Sequence, residues 1–101
     1  MELHETEVYL SWLGNLRDGR ARDRIVSRVQ RLLMGNPGDV RPVGGGVSEL
    51  RINYGPGYRV YYWQRGDFLV VLLAGGDKDS QRQDVPRAIG LLRDVRNQLG
   101  V

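Results

Sequence analysis

Apolar residues recur along the chain with two different periods, and the changes of period divide it into elements. Val8, Tyr9, Trp12, Leu13 and Leu16 follow a three-four spacing that predicts a helix, with Thr6 as its cap and Glu7 in its first turn. Asp18-Gly19 breaks it. Ile25, Val26, Val29, Leu32 and Leu33 repeat the spacing and predict a second amphipathic helix from Arg20 to Met34, with Arg24, Arg28 and Arg31 on its polar face. The two form a helical hairpin with one apolar face, stopped by Gly35-Asn36-Pro37-Gly38. The period then shortens. Strands are expected at 40–43, 47–54, 58–64 and 67–74, separated by Gly44-Gly45-Gly46, Gly55-Pro56-Gly57 and Arg65-Gly66. Turns this short make the neighbouring strands antiparallel. Leu3 to Glu5 forms a short additional strand, and Arg65-Gly66-Asp67, though it spells an adhesion triplet, reads as hairpin-turn chemistry. Val85, Ala88, Leu92, Val95 and Leu99 return to helical spacing. A capping box of Ser80 with Gln83 would leave Pro86 inside that helix without a hydrogen bond. A loose turn over 80–84, with Asp84 as cap and the main helix from 85, avoids this.

The pattern defines an α+β fold of one domain, residues 1–101. An N-terminal helical hairpin packs on a mainly antiparallel sheet of four to five strands, followed by a C-terminal helix. Strand alternation sorts the side chains. Leu50, Ile52 and Val60 mark the face covered by helices, whereas Glu49, Arg51, Arg59, Tyr61 and Trp63 point to the other, which is expected to be open. The run Phe68 to Ala74 does not alternate and should be buried on both sides.

Composition narrows the chemistry. There is no Cys, so disulfides and thiolate metal sites are excluded; one His among scattered carboxylates offers no metal-ligand spacing. The expectation is a cytoplasmic protein without a metal, a cofactor or a membrane partner: the first residues are acidic and polar, and the longest apolar run is far short of the ~20 residues needed to span a bilayer. The net charge is +3. Seven basic residues balance seven acidic ones up to residue 50, and eight face five beyond it, so the excess lies in the second half. Such an excess suits a polyanionic partner or simply a solubilising surface.

Fourteen of the fifteen basic residues are Arg; the fifteenth is Lys78, just past the end of the most apolar strand. Arg51 and Arg59, on neighbouring strands with Tyr61 and Trp63 nearby, combine guanidiniums for phosphate with rings that stack on unpaired bases. The plainer alternative is a solvated face on which Arg51 pairs with Glu49 or another carboxylate. Lys78 can join the rim of the same surface and, unlike Arg, can donate or accept a proton there; it can equally be a solvated loop lysine between Asp77 and Asp79.

Five stretches in order, WLGNLRD (12–18), RIVSRVQRLLMGNPGDV (24–40), VGGGVSELRINYGPGYRVYY (43–62), LAGGDKDSQ (73–81) and the helix over 85–99, carry a resemblance that spans nearly the whole chain. It resembles the small RelE/ParE-superfamily toxins of bacterial type II toxin–antitoxin modules, most closely the HigB-like addiction module killer branch. The resemblance implies the fold derived above and a toxin that enters the ribosomal A site and cleaves mRNA without a metal. The partners implied are the ribosome, mRNA and a neutralising antitoxin, often a helix-turn-helix protein. Arg51 in ELR and Arg59 in GYRVYY match family positions suited to phosphate stabilisation. Lys78 matches the basic position after the last strand, suited to charge stabilisation or proton relay. Tyr61 and Trp63 would stack on bases, and Arg28 on the second helix could contact RNA. Relatives often carry lysines on the sheet where this chain has Arg, which leaves the proton acceptor open among Lys78, Glu49, a tyrosine or none of them; His4 is a weak candidate, an isolated His on an N-terminal strand being more often structural. Two other functions remain compatible: a ParE-like gyrase poison without catalytic residues, and an inactive RNA-binding or interaction module.

Overall fold

A computed structural model describes residues 1–101. In chain order the elements are β1 (Glu2–Glu5), α1 (Glu7–Gly14), α2 (Gly19–Leu33), β2 (Val40–Gly44), β3 (Val47–Ile52), β4 (Tyr58–Arg65), β5 (Leu69–Gly76) and α3 (Gln81–Leu99). The strands make one sheet in the order β1-β5-β4-β3-β2, antiparallel throughout except that β1 runs parallel to β5. This is the α+β architecture expected, with five strands. No helix is long and apolar enough to cross a membrane.

Local chemistry sets the helix starts. Thr6 Oγ1 accepts from the Tyr9 N–H and donates to Leu73 O, so the cap of α1 is also tied to β5. Asp18, expected only as a breaker, caps α2 by accepting from the N–H groups of Arg20 and Ala21.

The sheet is covered on both faces. Tyr9, Ile25, Val29 and Leu32 from α1 and α2 pack on Leu50, Ile52, Val60, Tyr62, Val70 and Leu72. Ala88, Leu92 and Val95 of α3 pack on Val47, Tyr61, Val71, Leu73 and Ala74 on the opposite face. The expectation of one open sheet face is therefore corrected: the apolar stripe of α3 needs a partner, and the second face supplies it. Residues 70–74 are buried, as their lack of alternation requires, but Phe68, expected to be buried with them, precedes β5 and is 58% exposed.

Helix α3 also starts earlier than expected, at Gln81 rather than 85, with Pro86 inside it. The first turn is anchored well enough to offset the bond that Pro86 cannot make. Asp77 Oδ1 accepts from the N–H groups of Asp79 and Ser80, the Ser80 carbonyl accepts from Gln83 and Asp84, and the Gln81 side chain donates to Glu49 on the sheet.

Two adjacent glycines at the end of β5 let these layers close. Strand β5 carries one extra residue where it pairs with β4: Tyr62 faces Leu72 and Tyr61 faces Ala74, leaving Leu73 unpaired. Beyond this bulge, Gly75 faces the α1 side and Gly76 the α3 side. A methyl group on Gly75 would collide with the Trp12 ring, and one on Gly76 with the Asp84 carboxylate and Ser80 Oγ.

Candidate functional site

The second sheet face is covered only in part. Helix α3 stops short of the end where β3 leaves and β4 enters, and the turn between those strands closes over that end. Gly57, with φ of 81°, lies where an added methyl group would sit 3.4 Å from both Arg59 Nη1 and Lys78 Cβ. The turn thus touches the strand arginine and the loop lysine at once.

Here Arg51 from β3, Arg59 from β4 and Lys78 from the β5–α3 loop line one open cavity of about 400 Å³, together with Asp39, Asn53 and Gly57. Three cationic residues from separate segments therefore line the same hollow. Their partners differ. Arg51 and Arg59 are directly opposite each other in the β3–β4 register, an arrangement that like charges disfavour. Each is held by its own carboxylate. Arg51 donates through Nε and Nη2 to Asp39 Oδ1, at 3.1 and 2.7 Å. Arg59 Nε lies 3.5 Å from Glu49 Oε1, while its Nη1 donates to Gly57 O and Tyr58 O. Lys78 is exposed and forms no ion pair.

The two carboxylates do different work. The Arg51 hydrogen bonds hold the Asp39 carboxyl below its usual range against a smaller opposing effect of desolvation, and the charges of Arg51, Arg28 and Arg59 lower it further; the same bonds raise Arg51. Asp39 lines the cavity and holds Arg51 by its Nε–Nη2 edge. Glu49 is fully buried beneath α3, with Oε2 accepting from Gln81 Nε2 at 2.8 Å. It supports Arg59 from behind and does not line the cavity. Glu49 and Tyr61, the one tyrosine of the α3 face, are both 0% exposed and out of reach of a ligand, which leaves Lys78 and Asp39 as the cavity groups able to exchange a proton.

The remaining residues singled out from the sequence lie elsewhere. Tyr61 is 0% exposed, sealed under α3, and cannot stack on a base in this fold. Its hydroxyl has no hydrogen-bond partner, and burial, with the charges of Glu49 and Asp84, pushes it up. Trp63 is partly exposed but stands four residues along β4 from Arg59, roughly 13 Å away, and the Arg96 guanidinium covers its ring at 5.3 Å. Arg28 is spent on the fold: its terminal nitrogens donate to the carbonyls of Arg51, Pro37 and Asp39, pinning the chain between α2 and β2. His4 sits on β1 at the opposite edge of the sheet from β2.

Sequence reading missed Asp39. The signal was present in the β2–β3 register, which pairs Val40 with Leu50 and so brings Asp39 beside Arg51; the Arg51 N–H donates to Asp39 O. No group of three or more His, Asp or Glu side chains gathers where it could hold a metal ion.

No known protein-family profile matches the chain. A Haemophilus influenzae protein, described only as uncharacterized, is 43% identical over 95 residues, covering 94% of this chain and 96% of its own length.

Proposed function

This chain belongs to the same family as the Haemophilus influenzae protein, and we propose that it acts as the toxin of a type II toxin–antitoxin module, a RelE/ParE-like fold of the HigB-like branch that cleaves mRNA on the ribosome. The observation that carries the reading is the shared cavity of Arg51, Arg59 and Lys78. Its size and charge suit a phosphodiester flanked by its sugars.

Cleavage by such a site uses the RNA's own nucleophile. The ribose 2′-oxygen attacks the adjacent phosphorus, the bond to the 5′-oxygen of the next nucleotide breaks, and a 2′,3′-cyclic phosphate and a 5′-hydroxyl result. One proton passes from the 2′-hydroxyl to solvent water and one reaches the departing oxygen. Charge builds on the non-bridging oxygens, and two guanidiniums prepositioned by Asp39 and Glu49 stabilise it without reorganising during the reaction. Lys78, free of a carboxylate partner, is the group for proton transfer at the leaving oxygen. The residues supply positioning and charge, and the ribosome presents the strand.

The test is a reconstituted translation reaction with purified protein, its mRNA mapped by primer extension. Cleavage within the A-site codon, lost with Arg59→Ala, is expected. Intact mRNA with inhibited gyrase supercoiling would replace this reading by the gyrase alternative, and no effect in either assay would leave an inactive binding module.

A further inference from the structure

A second cavity, of about 680 Å³, lies outside the cationic pocket, along α2. Arg20, Arg24, Arg28 and Arg31 line it, with Asp23 and Asn53. Asn53 also lines the pocket of Arg51, Arg59 and Lys78, so the two hollows share a wall. Of the four guanidiniums only Arg28 is committed to backbone carbonyls; Arg20, Arg24 and Arg31 are exposed, and none of the four forms an ion pair, not even with Asp23. Arg24 lies 4.6 Å over the Tyr54 ring, which orients it. Like charges crowd here: the charge of Arg31 adds to burial in lowering Arg28. A helix face of this kind usually intersperses signs, and this groove sets four arginines against the single carboxylate of Asp23.

We infer that the α2 groove is a binding track for the phosphate backbone of single-stranded RNA, continuing from the strand held in the Arg51–Arg59–Lys78 pocket. The inference rests on the pocket taking a phosphodiester, and it adds where the flanking nucleotides run. Two features favour RNA over an acidic protein segment. The groove shares its Asn53 wall with the phosphodiester pocket, so one polymer can occupy both. Ile52, 3% exposed, is the only hydrophobic lining residue, which leaves no seat for the apolar face of an amphipathic partner helix. From Arg20 to Arg31 the helix rises roughly 16 Å, enough for a short run of phosphates.

The probe is a 5′-fluorescein 2′-O-methyl RNA dodecamer, which cannot be cleaved by 2′-oxygen attack, with binding followed by anisotropy across a salt series. The triple variant Arg20→Ala, Arg24→Ala, Arg31→Ala should weaken binding at low salt about tenfold or more and reduce the slope of log affinity against log salt by about 2, the value for three lost contacts to a single strand. A variant with equal charge loss elsewhere, Arg17→Ala, Arg65→Ala, Arg93→Ala, should change the slope far less. Thermal melting identifies a triple variant that fails to fold; single Arg24→Ala and Arg31→Ala variants then each show a slope reduced by about 0.7. Equal slopes for groove and control variants overturn the inference. So does a groove variant that keeps its RNA affinity but loses binding of a poly-glutamate peptide, which assigns the surface to an acidic protein. Lys78→Ala separates this inference from the reading beneath it. A groove that binds RNA in a protein that never cleaves mRNA would remove the nuclease and keep the track, whereas cleavage that needs Lys78 but is indifferent to the groove would do the reverse.

Discussion

Glu49 Oε1 lies 3.5 Å from Arg59 Nε, with the carboxylate fully buried and the arginine side chain 13% exposed. Neither atom has a hydrogen-bond partner, so their mutual attraction is what compensates the desolvation of both. Glu49→Ala should therefore destabilise the fold by roughly 3–5 kcal/mol, measured by urea unfolding. Glu49→Gln retains the shape and a group facing Gln81 but not the charge. It should fold, lose less stability than Glu49→Ala, and cleave mRNA more slowly because Arg59 is no longer oriented. Cleavage at the wild-type rate would remove Glu49 from the support of the site.

Arg51, Arg59 and Lys78 form the cavity together, so each should matter to the same step. Single alanine substitutions should lower cleavage on the ribosome by about 10²–10³-fold for a lost charge-stabilising donor, with little change in melting temperature for exposed Lys78. A Lys78→Arg variant keeps charge but not ready proton exchange, and it should rescue RNA binding more than rate. Equal recovery of both would assign Lys78 to electrostatics alone.

The Arg51–Asp39 pair sets a pH dependence. Asp39 titrates lower in the folded chain than in the unfolded one, so its contribution is present above the unfolded carboxyl value of about 3.9 and is lost as pH falls through the lower folded value. The stability difference between wild type and Asp39→Asn, measured by thermal melting from pH 7 downward, should be constant to about pH 4 and close below it. A gap that persists in stronger acid would show that Asp39 acts through packing rather than charge.

The Tyr61 hydroxyl is buried without a partner, which is an unfavourable position for a polar group. Tyr61→Phe should leave cleavage intact and stability unchanged or slightly higher. A large loss of activity would reinstate Tyr61 as part of the site.

Glycine positions offer a stability contrast. Gly76→Ala drives a methyl into Asp84 and Ser80 and should cost about 1–3 kcal/mol as overpacking. Gly90 lies in the middle of α3 with nothing within 4 Å of an added methyl, so Gly90→Ala should stabilise by roughly 1 kcal/mol, or ~4–8 °C in a domain of this size.

Much of this fold was legible in the periodicity of apolar residues, because each element carries its own burial pattern. The convergence of Arg51 and Arg59 followed from alternation and one tight turn. Tyr61 was misjudged because alternation states which face a residue shares, not how far along that face a helix reaches; α3 covers Tyr61 and stops before Arg59. The start of α3 was misjudged because Pro86 argues locally against a helix, while Gln81 and Asp77 decide the matter through contacts made after folding. Arg28 looked like one of several equivalent helix arginines, and nothing in its spacing distinguishes the one that meets the carbonyls of Pro37 and Arg51.

The unpaired Leu73 acts as a phase shifter for everything downstream of it. Were it paired regularly with Tyr61 instead of bulged, Ala74 would fall opposite Val60 and Gly75 opposite Arg59: the two glycines would exchange layers, the loop bearing Lys78 would leave the sheet out of step with the turn at Gly57, and the cationic cluster would come apart while each of its members stayed in the sequence.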